Sequence, residues 1–158
     1  MTDWNAVPIF GVSDSRLPHV IRLSAYGLVV DAADELAIVR TPTGTYLPGG
    51  GMRSGESAEA AVGREAREEC GLEVQLTSWR RAAIDHVAVP SEESCFEKRS
   101  TFCSARVLTA VSGSTEPDHL LAWETPAVAL RVLTPPSHRW AVAEWLADRD
   151  ATLSQPIQ

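Results

Sequence analysis

Glu65, Glu68 and Glu69 stand at i, i+3 and i+4 in a stretch, residues 57–70, built largely of Ala, Glu and Arg with no proline. In a helix that spacing puts the three carboxylates within about 6 Å of one another, where repulsion raises a pKa or demands a counter-cation. On a wheel of about 100° per residue, Ala58, Ala61, Val62, Glu65, Ala66, Glu68 and Glu69 fall in one arc, with Gly63, Arg64 and Arg67 opposite. The acids therefore share the face such a helix buries. Hard oxygen donors on one face suit Mg²⁺ or Mn²⁺, which keep part of their water and bind substrate phosphates. The competing reading is an acidic helix neutralised by Arg64 and Arg67, and the spacing alone leaves both open.

The elements around this helix must hold it in place. Ser57 suits the N-cap, Glu59 the positive end of the dipole and Gly71 the C-terminal stop. Ahead of it, Pro48-Gly49-Gly50-Gly51 forms a loop whose glycines admit backbone conformations closed to other residues. Residues 19–30 and 35–40 read as a β-hairpin turned by Asp31-Ala32-Ala33-Asp34, and residues 45–47 as a short extended piece. Beyond the helix, residues 73–89 and 95–111 read as strands joined by a polar connection, and residues 120–124 as another strand. Residues 125–133 hold a short helical turn, and Ser137 is expected to cap a terminal helix that runs to about Ala147 and buries Trp140 and Trp145. The fold class is α/β (α+β), a mixed β-sheet flanked by at least two helices. The expected division is an irregular arm over residues 1–17, one domain over 18–150 and a tail over 151–158.

From Gly50 the sequence runs Gly50-x5-Glu56-x7-Arg64-Glu65-Ala66-Arg67-Glu68-Glu69-Cys70-Gly71-Leu72, which resembles the Nudix box GX5EX7REUXEEXGU. All seven fixed Gly, Glu and Arg positions match, a coincidence of ~10⁻⁶ or rarer at ordinary residue frequencies. Ala66 stands where the family prefers a larger aliphatic residue, a difference that bears on packing and not on chemistry. The resemblance implies a Nudix-type α/β/α sandwich with a catalytic loop-helix, and hydrolysis of the pyrophosphate bond in a nucleoside diphosphate linked to another moiety. It implies Mg²⁺, or Mn²⁺, as cofactor. Residue by residue, Glu68 and Glu69 look like metal ligands, Glu65 a ligand or base, and the Gly49 carbonyl a further metal contact. Arg64 and Glu56 look like the pair that orients the catalytic helix. The family often adds an acid from a later loop; Glu116 and Asp118 are the candidates, and Glu116 is preferred.

Arg22, Arg53, Lys98 and Arg99 are the cationic side chains that could meet phosphates, with Arg22, Arg53 and Arg99 taken as the substrate-binding set, although each alone is more often a surface charge. Tyr26, Trp79, Phe96, Phe102 and Trp123 could stack on a base, but aromatics in strands are more often core. His86, His119 and His138 are candidate proton carriers without a spaced partner, for which ordinary polar roles are expected. The proline and tyrosine positions that mark ADP-ribose and diadenosine polyphosphate hydrolases find no match, nor do the coenzyme A and NADH signatures. That favours nucleoside triphosphates or a broad house-cleaning activity. A non-catalytic Nudix-fold nucleotide sensor is the alternative, and the intact acid set argues against it, since a pure binder has no need of three crowded carboxylates.

Composition agrees. The 158 residues carry 14 basic and 21 acidic side chains, a net −7 with a single lysine, Lys98, which disfavours a nucleic-acid polymer as partner. A small anionic substrate remains compatible if a cation bridges it to carboxylates. Cys70, Cys95 and Cys103 have neither zinc-ligand spacing nor an even count for a disulfide framework, so reduced thiols are expected. No signal peptide and no membrane-length apolar run is legible, so a cytoplasmic setting without membrane contact is expected. Nudix enzymes are often homodimers, and the resemblance carries that expectation too.

Overall fold

A computed structural model describes residues 1–111 and 113–154. Eight strands form one mixed sheet: β1 (Ile9–Phe10), β2 (His19–Val30), β3 (Leu36–Thr41), β4 (Gly44–Tyr46), β5 (Gly49–Gly51), β6 (Leu72–Val89), β7 (Ser94–Ala110) and β8 (Leu120–Glu124). The order is β1-β6-β7-β2-β3-β4, with β5 also paired to β2 and β8 to β3. Helix α1 (Ala58–Cys70) covers one face, and α2 (Pro126–Val132) and α3 (Pro136–Leu153) cover the other.

Strand alternation explains the layers. Along β2, Leu28 and Val30 join Phe102, Ala129, Ala141, Val142 and Trp145 in the core under α2 and α3. Ala25 turns the other way, into a cluster with Ala58, Ala61, Val62 and Cys103 under α1. Small residues at Ala58, Ala61 and Ala66 let the helix come close to the sheet, and a Cβ on Gly27 would meet Val62 at 2.8 Å. The Asp31 carboxylate accepts the N–H groups of Ala33 and Glu35, each at 2.9 Å, which is the turn expected of that tetrapeptide. The expected sandwich and mixed sheet are present.

The arm and the two ends of α3 show how the expected outline is realised. The arm adds β1 as an edge strand, the edge segment its sequence allowed, pairing parallel to β6 through Ile9 and Ile84. Helix α3 begins at Pro136, with Pro135 at the N-cap position and Ser137 buried inside the first turn, because proline's missing N–H and fixed φ suit that position. The same helix continues to Leu153, past the expected end, since no glycine or proline interrupts residues 148–153; the last four residues of the expected tail lie outside those described. All three cysteines are free and buried. No helix among the described residues is long and apolar enough to cross a membrane.

His138 is an interior residue of α3 and not a proton carrier. Its Nδ1 accepts the Leu47 N–H at 3.1 Å, its ring packs 4.3 Å from that of Tyr26, and burial pushes its pKa down to about 3. The folded protein therefore keeps His138 neutral while the unfolded chain takes up a proton below its ordinary value of 6.5, so stability falls as pH falls through that window. Urea unfolding of wild type and of His138→Asn at pH 7 and at about pH 5 should differ, wild type losing about 2 kcal/mol more than the variant on acidification. Equal losses in the two proteins would contradict a buried neutral imidazole.

Candidate active site

The site grows from both ends of α1. At its start, the Ser57 hydroxyl accepts the Ala60 N–H at 3.1 Å; at its end, Gly71 adopts a left-handed φ of 64° and caps the Ala66 and Arg67 carbonyls. The carbonyl of Glu68, in the last turn and so without a helical partner, accepts from the Thr115 N–H at 2.9 Å and from the hydroxyls of Ser114 and Thr115. These bonds dock the loop after β7 onto the helix. The loop then turns tightly, with the His119 N–H bonded to the Glu116 carbonyl at 3.0 Å.

The consequence is a convergence of acids from two distant segments. Ligand atoms of Glu65, Glu68 and Glu116 lie within 4.8 Å of one another, and so do those of Glu69, Glu116 and His119. Glu116 is common to both groups. Glu65 and Glu69 are 11% and 6% exposed, while Glu68 is 34% exposed, so the wheel's arc holds for two of the acids and the third reaches its rim.

Gly49, on β5, donates its N–H to Glu69 at 2.7 Å. Burial raises the Glu69 pKa to about 7, opposed by the Gly49 and His119 hydrogen bonds and reinforced by the neighbouring charge of Glu65. A carboxyl held this far above its ordinary range is under strain that a cation would relieve. Gly50 adds a second sign of a prepared cradle, because a Cβ there would lie 3.0 Å from Glu65 Oε1. The carboxylate oxygens of Glu65, Glu68, Glu69 and Glu116 suit a hard divalent cation.

Arg64 braces the acids from the other side. Its guanidinium meets Glu56 at 2.8 Å, Glu65 at 2.7 Å and Glu68 at 3.2 Å, and donates to the Gly51 carbonyl at 3.1 Å. The Arg64 hydrogen bonds to Glu56, with the Arg53 N–H, hold the Glu56 pKa down at about 2, and Glu56 and Glu65 push the arginine further up. One side chain thus ties the glycine loop, the segment before α1 and two helix acids into a single unit.

The other sequence candidates divide. Arg53 reaches Glu68 at 3.4 Å, at the site. Arg22 shares the β2 face of Tyr26 and lies 4.2 Å over the Phe96 ring, opposite Lys98 in the β2–β7 register. Arg99, one residue beyond Lys98, points to the other face of the sheet, the one α1 covers, and there its guanidinium pairs with Glu97 at 2.7 Å and faces Trp4. Asp118 and Tyr26 line a cleft of about 370 Å³ with Thr41, Thr43, Tyr46, Gly49, Glu69 and His119. Phe102 is buried in the core, and Trp79 packs against it while donating to Asp148 at 2.9 Å. Trp123 packs against the Val29 and Val39 cluster. His86 lies near His19, away from the acids. Sequence reasoning named His119 only as a proton-carrier candidate without a spaced partner, yet its Nδ1 is 2.6 Å from Glu69 and 2.7 Å from Glu116; the available signal was its spacing of three from the loop acid.

A family model described as the NUDIX domain matches residues 20–148. No curated protein matches the sequence. Among solved structures, the chain resembles a NUDIX hydrolase from Nitrosomonas europaea with a TM-score of 0.61 at 18% identity, over 82% of this chain and 90% of that one. It resembles a C. elegans Ap4A hydrolase, solved as a binary complex, with a TM-score of 0.66 at 15% identity, over 82% and 98% of the two chains. The MutT protein from Methanosarcina mazei Go1 aligns with a TM-score of 0.58 at 19% identity, over 87% and 99%. At such identities the structural likeness speaks for the fold.

Proposed function

The chain belongs to the Nudix family of hydrolases acting on phosphorus-containing anhydrides, and on that footing we propose that it is a Mg²⁺-dependent pyrophosphohydrolase of nucleoside diphosphate derivatives, with nucleoside triphosphates or a broad house-cleaning range as substrates. The observation that carries the proposal is the meeting of Glu65, Glu68 and Glu69 with Glu116, with Glu69 also lining a cleft between Tyr26 and Tyr46. Glu65, Glu68, Glu69 and the Gly49 carbonyl are the proposed metal contacts. A divalent cation bound there would neutralise phosphate charge and acidify the attacking water.

The chain's own residues supply the rest. Glu116, anchored through its loop to the end of α1, or Glu65, braced by Arg64, accepts the proton of the attacking water. Arg53 and Arg22 meet phosphate oxygens that the acids would otherwise repel. The aromatic walls of Tyr26 and Tyr46 hold the nucleoside, in a volume that suits one nucleoside. Three buried free thiols support a reducing, cytoplasmic setting.

The test is release of phosphate and pyrophosphate from nucleoside triphosphates, nucleotide sugars, ADP-ribose and dinucleoside polyphosphates, with Mg²⁺, Mn²⁺ or EDTA. Turnover of one class that EDTA abolishes and added Mg²⁺ restores is the expected result. Binding of nucleotides without turnover in any metal would replace the proposal with the sensor reading.

A further inference from the structure

Glu69 and Glu116 differ from the other acids in what compensates them. Arg64 reaches Glu65 and Glu68, and Arg53 reaches Glu68. Among the described residues no arginine or lysine pairs with Glu69 or Glu116, and the one side chain that meets both is His119, through a single ring nitrogen at 2.6 and 2.7 Å. A ring nitrogen carries at most one proton, so two carboxylates compete for one hydrogen bond. Donor atoms on neighbouring corners of an octahedron with bonds near 2.1 Å sit about 3 Å apart, a spacing the 2.6 and 2.7 Å separations of His119 Nδ1 from the two carboxylates come near.

We propose that His119 is itself a metal ligand, giving Glu69, Glu116 and His119 the character of a mixed nitrogen and oxygen site that prefers Mn²⁺ over Mg²⁺, beside the all-oxygen group of Glu65, Glu68 and Glu116. The inference rests on the metal-site reading above. Its chemical ground is that imidazole suits transition metals, whereas Mg²⁺ strongly favours oxygen. The tight turn that bonds the His119 N–H to the Glu116 carbonyl presents both side chains to α1 together, so one turn carries two donors. The ligating nitrogen is Nδ1, which must be unprotonated when the ion is held.

The experiment is pulsed electron paramagnetic resonance on the full chain with Mn²⁺ alone, comparing unlabelled protein with protein carrying ¹⁵N-histidine, and calorimetry with Mn²⁺ and with Mg²⁺. In wild type, nitrogen modulation that changes with the histidine label is expected. In His119→Gln, and in His119→Asn as a second variant, that modulation should vanish, with Mn²⁺ affinity falling about tenfold or more and Mg²⁺ affinity less than about threefold. Bound Mn²⁺ with no histidine-derived modulation in wild type would overturn this inference and leave the carboxylate site intact. Equal weakening of both metals in the variants would also overturn it. Failure of wild type to bind Mn²⁺ at all would overturn the metal-site reading beneath it.

Discussion

Glu69→Gln is expected to lower kcat about 10³-fold, equivalent to about 4 kcal/mol of barrier, with the fold intact. The glutamine carbonyl can still accept the Gly49 N–H that Glu69 accepts at 2.7 Å, so the link between β5 and α1 survives. What disappears is the negative charge at the most buried of the helix acids, where a cation has the least water to fall back on. Removing a group that burial holds at a pKa of about 7 also relieves strain, so the variant should melt at or slightly above the wild-type temperature in EDTA. Steady-state kinetics at saturating metal and a thermal melt read the two effects separately. A kcat near wild type would remove Glu69 from the metal set.

Gly49→Ala is expected to be the most damaging single methyl group in the protein. Gly49 has a φ of 151°, and a Cβ there would lie 2.2 Å from the Ala25 carbonyl oxygen and 2.6 Å from the Tyr26 Cα. Both obstacles are backbone of β2, which pairs with β5 on one side and with β7 along its whole length on the other, so neither can yield without loosening the sheet. We expect a loss of about 3 kcal/mol or more, a fall in Tm of roughly 10 °C, and loss of turnover as the Glu69 anchor shifts. Gly51→Ala is the matched control for stability, since a Cβ there meets nothing within 4 Å. Equal melting temperatures for the two variants would contradict the close β2–β5 approach.

Much of this site is legible in the sequence. The capping residues Ser57 and Gly71, the spacing of Glu65 and Glu69 and the turn at Asp31 are local signals, and local physics realises them. The Nudix box added Glu56 with Arg64, a pairing eight residues apart that helical periodicity does not suggest. What was not legible depends on distant segments meeting. Whether Arg22 and Arg99 serve one surface is decided by the β2–β7 register, which sets Arg22 opposite Lys98 and sends Arg99 to the other face. Glu116 could be favoured over Asp118, but its approach to the helix acids relies on Ser114 and Thr115 bonding to the free carbonyl of Glu68. The same docking makes His119 part of the site, where its spacing of three from Glu116 was the one local hint, whereas the ring of His138 ends in the core inside the first turn of α3, which starts two residues before its presumed cap allowed.

The central claim is that this cluster of acids hydrolyses a phosphoric anhydride, and the most direct measurement is turnover in ¹⁸O-water with Mg²⁺, followed by mass spectrometry of both products. The account predicts one ¹⁸O atom in a single phosphoryl product per turnover, none in the sugar or base, and no incorporation in the presence of EDTA. Label outside the phosphoryl groups, or undiminished incorporation in EDTA, would contradict it.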